Sequence, residues 1–198
     1  WGEGDVAPDA IVTGAARGYE YCFFTQTTSG KLKSCPANLD ATGPAFEGAA
    51  AAVAYSGPET GATVYTVLLR VANGDVVQAD YLGGCGSPPS WTDHGSPPGA
   101  GGVSSGRYSV GAALFQADKE ADTQIRLVVA ANNGKVYRRD ITPGGPATPW
   151  VEHAAPADTR GALGAVYVAQ SASFGATTAY FVGEVSPPRL FRPAAGHA

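Results

Sequence analysis

The sequence predicts an all-β fold of four small antiparallel sheets, and three observations carry that prediction. Hairpin signals recur at Ser29-Gly30, Asn73-Gly74 and Asn133-Gly134, with Pro187-Pro188 in the matching place of a fourth unit. Runs rich in Val, Leu, Tyr and Phe flank each turn, as in Tyr65 to Leu69 and Ile125 to Val129, and such residues suit pleated, half-buried surfaces. A short Ala-rich segment precedes each hairpin, where small side chains let sheets crowd together.

The units can be taken in order. Their first strands are expected at Ala10 to Thr13, Ala51 to Tyr55, Ala112 to Gln116 and Ala165 to Ala169. The hairpins follow, and Asn-Gly is the strongest of the turns because both central residues must accept positive φ. A last strand then carries an aromatic followed by an acid: Phe46-Glu47-Gly48, Trp91 to His94, and Trp150 to His153. The fourth unit stops after Arg189 to Arg192 without such a strand, whereas Trp1, Gly2 and Glu3 fit it. The turns are spaced by roughly 45 to 60 residues, in the range of propeller blades. The expected fold is therefore a four-bladed β-propeller in one domain, closed by the N-terminal strand completing the last blade, which hides a sheet edge. Approximate blade boundaries are 8–48, 49–100, 106–155, and 160–198 plus 1–7. A two-sheet sandwich does not explain why the two chain ends complete one repeat. Ala45 to Ala54 has helical composition, but a blade-centre strand accounts for it better.

Composition agrees and excludes several functions. With 27 glycines and 15 prolines in 198 residues, long helices are disfavoured, and 44% hydrophobic content argues against disorder. A net charge of -4 gives no electrostatic case for nucleic acid or an anionic membrane. No apolar run approaches the roughly 18 residues that span a bilayer. The chain lacks Met and begins at Trp1, which points to removal of a secretory leader and an extracellular location. Cys22 and Cys35 flank the first hairpin turn and are expected to form a disulfide across adjacent strands. That leaves Cys85 as a free thiol or an intermolecular link. There is no zinc-type Cys/His spacing, P-loop, dinucleotide fingerprint or nucleophile elbow, so no metal, cofactor or catalytic residue is assigned.

The second unit, from Ala51 through the Asn73-Gly74 hairpin to Trp91 and Gly95, resembles a blade of the fungal fucose-binding lectins of the Aleuria type. The likeness covers nearly the whole chain, although propellers of that family usually have six blades. It implies a secreted carbohydrate-binding protein with shallow sites on or between blades, and glycans or glycoproteins as partners. Oligomerisation is left open. The family's sugar site combines an Arg, a Glu and an aromatic ring. Counted from the turn glycine, the Arg position is Cys22, Thr66 and Arg126 in the first three units. The Glu position is Ser34, Gln78 and Arg138, and the ring is Trp91 and Trp150, with Trp1 for the N-terminal segment. No unit carries all three.

The candidate carbohydrate-binding residues are accordingly Arg126, Tyr137 and Trp150 in the third unit, and Thr66, Gln78 and Trp91 in the second. Blade packing competes as an explanation for each, with Arg126 lying along a strand face. Asp93-His94 and Glu152-His153 read as solvated strand ends, and Asp118, Glu120 and Asp122 as a solvated turn. Two rival functions stand beside the lectin. One is a small-molecule biosynthetic enzyme, a cyclase or cycloaddition catalyst, on a lectin-like propeller. The other is an interaction scaffold of the hemopexin kind. A deep axial cavity favours the enzyme, and shallow repeated sites favour the lectin.

Overall fold

The computed structural model describes residues 13–35, 39–40, 43–57, 61–106, 109–115, 123–153, 163–170, 177–183 and 189–191. These residues form strands and connections with no helix among them. Sheet 1 contains β1 (Thr13–Arg17), β2 (Glu20–Gln26), β3 (Leu32–Cys35) and β4 (Leu39–Asp40). Sheet 2 contains β5 (Phe46–Ser56), β6 (Thr63–Val71), β7 (Val76–Leu82) and β8 (Ser90–Gly95). Sheet 3 contains β9 (Val110–Phe115), β10 (Gln124–Ala130), β11 (Val136–Ile141) and β12 (Val151–His153). Sheet 4 contains β13 (Leu163–Gln170), β14 (Thr177–Gly183) and β15 (Arg189–Phe191). Each is an antiparallel meander in chain order, and none closes into a barrel.

The hairpin glycines explain the turns. Gly30, Gly74 and Gly134 have φ of 76°, 88° and 77°, a region that only glycine enters at little cost. Gly74 has a second reason to lack a side chain. An added Cβ would lie 2.9 Å from the Cα of Gly102, because the 96–106 connection crosses the Asn73-Gly74 turn there. Val103 N donates to Gly74 O at 2.8 Å, and Asn132 N to Gly102 O at 3.0 Å. The connection thus stitches the hairpin tips of sheets 2 and 3 together.

The first strands of consecutive sheets lie side by side, β1 by β5, β5 by β9 and β9 by β13. Sheet 2 is consequently covered on both faces, and β6 shows it: from Val64 to Val71 every residue is buried, without alternation. Such continuous burial is the mark of a strand packed on both sides. Tyr65, Val67 and Leu69 join Phe24, Leu32 and Phe46 in the core towards sheet 1. Val64 and Leu68 join Ile125, Leu127 and Val129 in the core towards sheet 3. Sheet 1 turns Tyr21 and Phe23 the other way, where they remain 57% and 43% exposed.

One expectation needs correction here. Phe46, Glu47 and Gly48 do not form the outer strand of the first unit. They begin β5, with Phe46 paired to Val71 of β6 and a bulge before Ala50; the outer strand of sheet 1 is the short β4. Of the expected strand from Ala10 to Thr13, Thr13 belongs to β1 and the rest lies outside the described residues. The proposed N-terminal strand and the acidic turn at Asp118, Glu120 and Asp122 fall outside the described residues.

The two-sided burial of β6 gives a direct test. Leu68, fully buried, when cut to Ala should cost about 2–5 kcal/mol, lowering Tm by roughly 5–15 °C in a chain of this size. Leu82, which is 58% exposed, should tolerate the same change within about 0.5 kcal/mol. Thermal melts of Leu68→Ala and Leu82→Ala that coincide would contradict the packing.

Candidate functional site

Strand parity decides which side chains meet between sheets. Cys22 shares a face of sheet 1 with Phe24 and Ser34, because Phe24 pairs with Ser34 across β2 and β3. That face meets sheet 2. Cys35 pairs with Phe23, one position out of step with Cys22, so the expected Cys22–Cys35 bridge does not form. Cys22 is instead bonded to Cys85 in the β7–β8 loop, with Cα atoms 6.0 Å apart. Ser34 Oγ donates to the Cys85 carbonyl at 2.8 Å, pinning the same loop a second time. Gly83 and Gly84, at φ of 72° and 116°, let the loop turn sharply into this position.

The disulfide lies at the base of an open pocket of about 500 Å³ between sheets 1 and 2, lined by Tyr19, Glu20, Tyr21, Tyr65, Gly84 and Gly86 together with the two cysteines. The β1–β2 hairpin supplies the rim, and Tyr19 at its tip is fully exposed. Tyr65 of β6 supplies a buried wall, 1% exposed, and its hydroxyl has no hydrogen-bond partner among the described residues. Burial, with the Glu20 carboxylate adding to it, raises the Tyr65 pKa, and Arg17 opposes the shift. Tyr81 Oη and Trp91 Nε1, on the same face of sheet 2, are also buried without a partner among the described residues. An unmet buried polar group costs about 1–3 kcal/mol, and of these three residues Tyr65 is the one that lines the pocket.

The gap between sheets 2 and 3 is closed by polar contacts. Thr66 pairs with Asp80 and Leu68 with Gln78 across β6 and β7, so these side chains share the face towards sheet 3. Thr66 Oγ1 donates to Asp80 and lies 3.3 Å from Tyr55 Oη. Gln78 Nε2 donates to the other Asp80 oxygen at 2.6 Å. Since the Gln78 amide oxygen can only accept, His94 presents an Nε2–H to it at 2.7 Å. Arg139 of β11 then crosses from sheet 3, donating to the His94 carbonyl at 2.7 Å and to Thr148 O at 2.9 Å. Its guanidinium lies 5.0 Å from the centre of the Trp150 ring, a cation–π geometry. Burial, reinforced by Arg139, pulls the His94 pKa down to about 4, with Asp93 pulling the other way. Burial raises the Asp80 pKa, against its hydrogen bonds from Thr66 and Gln78.

The six candidate residues therefore occupy three different gaps. Thr66, Gln78, Tyr137 and Trp150 face one another between sheets 2 and 3; Thr66 is fully buried and Gln78 nearly so. Trp91 packs in the gap between sheets 1 and 2. There Gly43 makes room for it, since a Cβ on that glycine would fall 1.9 Å from the Trp91 ring. Arg126 pairs with Asp140 across β10 and β11, on the face of sheet 3 opposite Leu127, and binds its carboxylate with two bonds of 2.9 and 3.1 Å. His94 departs from its expected solvated position: it lies on the face of β8 opposite Trp91, towards sheet 3, and is buried there against Gln78. Sequence reasoning missed Tyr19, Glu20, Tyr65 and Arg139. The Tyr19-Glu20-Tyr21 run after Gly18 was a legible signal of an exposed aromatic hairpin.

Comparison with known proteins gives a fold and no family. No family model matches the chain, and no curated protein does. Among solved structures, a lectin designated SapL1, in complex with alpha methyl fucoside, aligns with a TM-score of 0.58 at 16% identity. The alignment covers 96% of this chain and 67% of the lectin chain. At that identity the likeness establishes a shared all-β architecture.

Two measurements check this site. Non-reducing peptide mapping should recover Cys22 linked to Cys85; a Cys22–Cys35 peptide would contradict the register. Closing a loop of 63 residues contributes about 4 kcal/mol in the chain-entropy account, so Cys85→Ser should lower stability by a few kcal/mol.

The second concerns pH. A histidine with a folded pKa of about 4 and an unfolded value near 6.5 takes up a proton on unfolding between those values. The stability from neutral His94 is then fully present above about pH 6.5 and falls by roughly 3 kcal/mol as pH drops through 4. Asp80, with its raised pKa, acts with the opposite sign, losing stability as pH rises through the carboxylate range. Replacing His94 with Gln should flatten the loss between pH 6.5 and 4 in denaturant melts, and an unchanged slope would contradict the assignment.

Proposed function

We propose that this protein binds carbohydrate without transforming it, and that the pocket between sheets 1 and 2 is the binding site. The observation that carries the reading is the pocket's chemistry: the exposed ring of Tyr19, the buried ring of Tyr65, a carboxylate and glycine backbone around an open cavity of about 500 Å³. Rings cover the apolar C–H face of a sugar, while the carboxylate and amide groups meet its hydroxyls. The architectural likeness to a lectin solved with a fucoside supports it. The open shape of the pocket favours binding over the enzymatic alternative, for which a deep cavity is the expected sign. Glycans or glycoproteins are the partners in this reading.

We read the four sheets as successive blades of one propeller domain, on the support of their meander order and adjoining first strands. Sheet 4 has three strands among the described residues where the others have four, which leaves room for residues 1–7 as its outer strand. Ring closure has to act on the face of sheet 1 that exposes Tyr21 and Phe23. Secretion is part of the same proposal, supported by a disulfide that persists in oxidising compartments.

A glycan array followed by isothermal titration tests the function. Binding of at least one glycan, weakened about tenfold or more by Tyr19→Ala, is the expected outcome. No binding to any glycan at high micromolar protein would refute it.

A further inference from the structure

The pocket's polar groups are few and placed at two depths. Glu20 stands on the β1–β2 hairpin at the rim, exposed and opposite Arg17 in the hairpin register. Tyr65 forms the wall below it, with its ring in the pocket lining and its hydroxyl buried without a partner among the described residues. The positions that the lectin pattern assigns to Arg and Glu are occupied here by Cys22 and Ser34. Cys22 is consumed by the disulfide, and Ser34 by its bond to the Cys85 carbonyl. Neither side chain is left to address a ligand. Any polar recognition at this place must therefore come from other side chains that line the cavity: Tyr19 stands exposed at the hairpin tip, Tyr21 turns its ring to the other face of sheet 1, and Glu20 and Tyr65 remain as the carboxylate and the phenol on the side of sheet 2.

We infer that Tyr65 and Glu20 are the specificity-determining pair of this pocket, gripping adjacent hydroxyls of a neutral saccharide between a phenol and a carboxylate. The inference rests on the carbohydrate reading above and assigns its residues. A carboxylate can only accept, so it takes a proton from one sugar hydroxyl. The phenol both donates and accepts, so it serves the neighbouring hydroxyl in either orientation. A uronic acid or sialic acid would set its own carboxylate against Glu20. No lysine or arginine is among the residues that line the pocket, and Arg17, paired with Glu20 across the hairpin, stands outside that lining. The pair thus selects against anionic sugars as well as for hydroxyls. Among the described residues Tyr65 also has no structural hydrogen bond to lose, which separates a binding role from a folding role.

The test uses the full chain and isothermal titration with methyl glucoside, methyl galactoside and methyl fucoside, and with the glucuronide and galacturonide as anionic counterparts. The wild type should bind a neutral glycoside at least tenfold more tightly than its uronide. Tyr65→Phe should weaken neutral binding about tenfold while its Tm stays level or rises, since the substitution removes a buried hydroxyl without a partner among the described residues. Glu20→Gln should narrow the neutral-to-anionic ratio towards one. If the wild type binds neutral sugars and Tyr65→Phe binds equally well, the role of Tyr65 is overturned while carbohydrate binding stands. If uronides bind as tightly as their neutral partners, or Glu20→Gln leaves the ratio unchanged, the role of Glu20 is overturned. If no glycoside and no array glycan binds, the carbohydrate reading itself falls and takes this inference with it.

Discussion

Burial of sheet 2 on both faces is the constraint on which the rest of the structure depends. Sheets of three or four short strands enclose no core of their own, so each must use a neighbour's face. β6 is the clearest expression, with consecutive residues divided between Tyr65, Val67 and Leu69 on one side and Val64 and Leu68 on the other. At about 25 cal/mol per Å² of apolar area removed from water, two such interfaces supply the main favourable term for the first three sheets. The hairpin tips follow from the same demand. Two stacked sheets bring their turns close, and at Gly74 and Gly102 only backbone without side chains fits.

Stacking also creates the gaps between sheets, and the chain fills them unequally. Between sheets 2 and 3 a polar chain from Tyr55 to Arg139 occupies the space and leaves few groups unmet. Between sheets 1 and 2 the floor is sealed covalently by Cys22–Cys85, yet Tyr65, Tyr81 and Trp91 keep buried polar atoms without partners among the described residues. Equivalent positions in successive repeats have thus been put to different use: Cys22 and Ser34 tie down a loop, Thr66 and Gln78 satisfy a buried network, and Arg126 joins Asp140 within its own sheet. The gap with unmet donors beneath an aromatic rim is the one suited to holding a ligand.

Much of the fold was legible in the residues themselves. The Asn-Gly turns announce their hairpins locally, and Trp91 and Val151 lie on outer strands where the repeated pattern put them. What escaped was set by register. Cys22 and Cys35 sit either side of one turn, but the pairing of Gln26 with Leu32 places them out of step. Cys22 then meets Cys85, a residue 63 positions away that no local pattern connects to it. Phe46-Glu47 has the aromatic–acid signature of an outer strand, yet the chain runs on through a bulge into the next sheet. His94 read as solvated because it lies on an outer strand, and sheet 3, reaching across with Arg139, helps to bury it. The site was harder still, since repeat position gives a residue's place in its sheet without the gap it faces or what already fills that gap.

The account's central claim is that ligand enters between the first two sheets. Titrating isotopically labelled protein with a glycoside it binds, and following backbone amide shifts by NMR, tests that claim most directly. The account predicts that the largest shifts fall on residues 19–22, on Tyr65 and on residues 84–86. Shifts centred on His94, Arg139 and Trp150 with the 19–22 hairpin unmoved would contradict it.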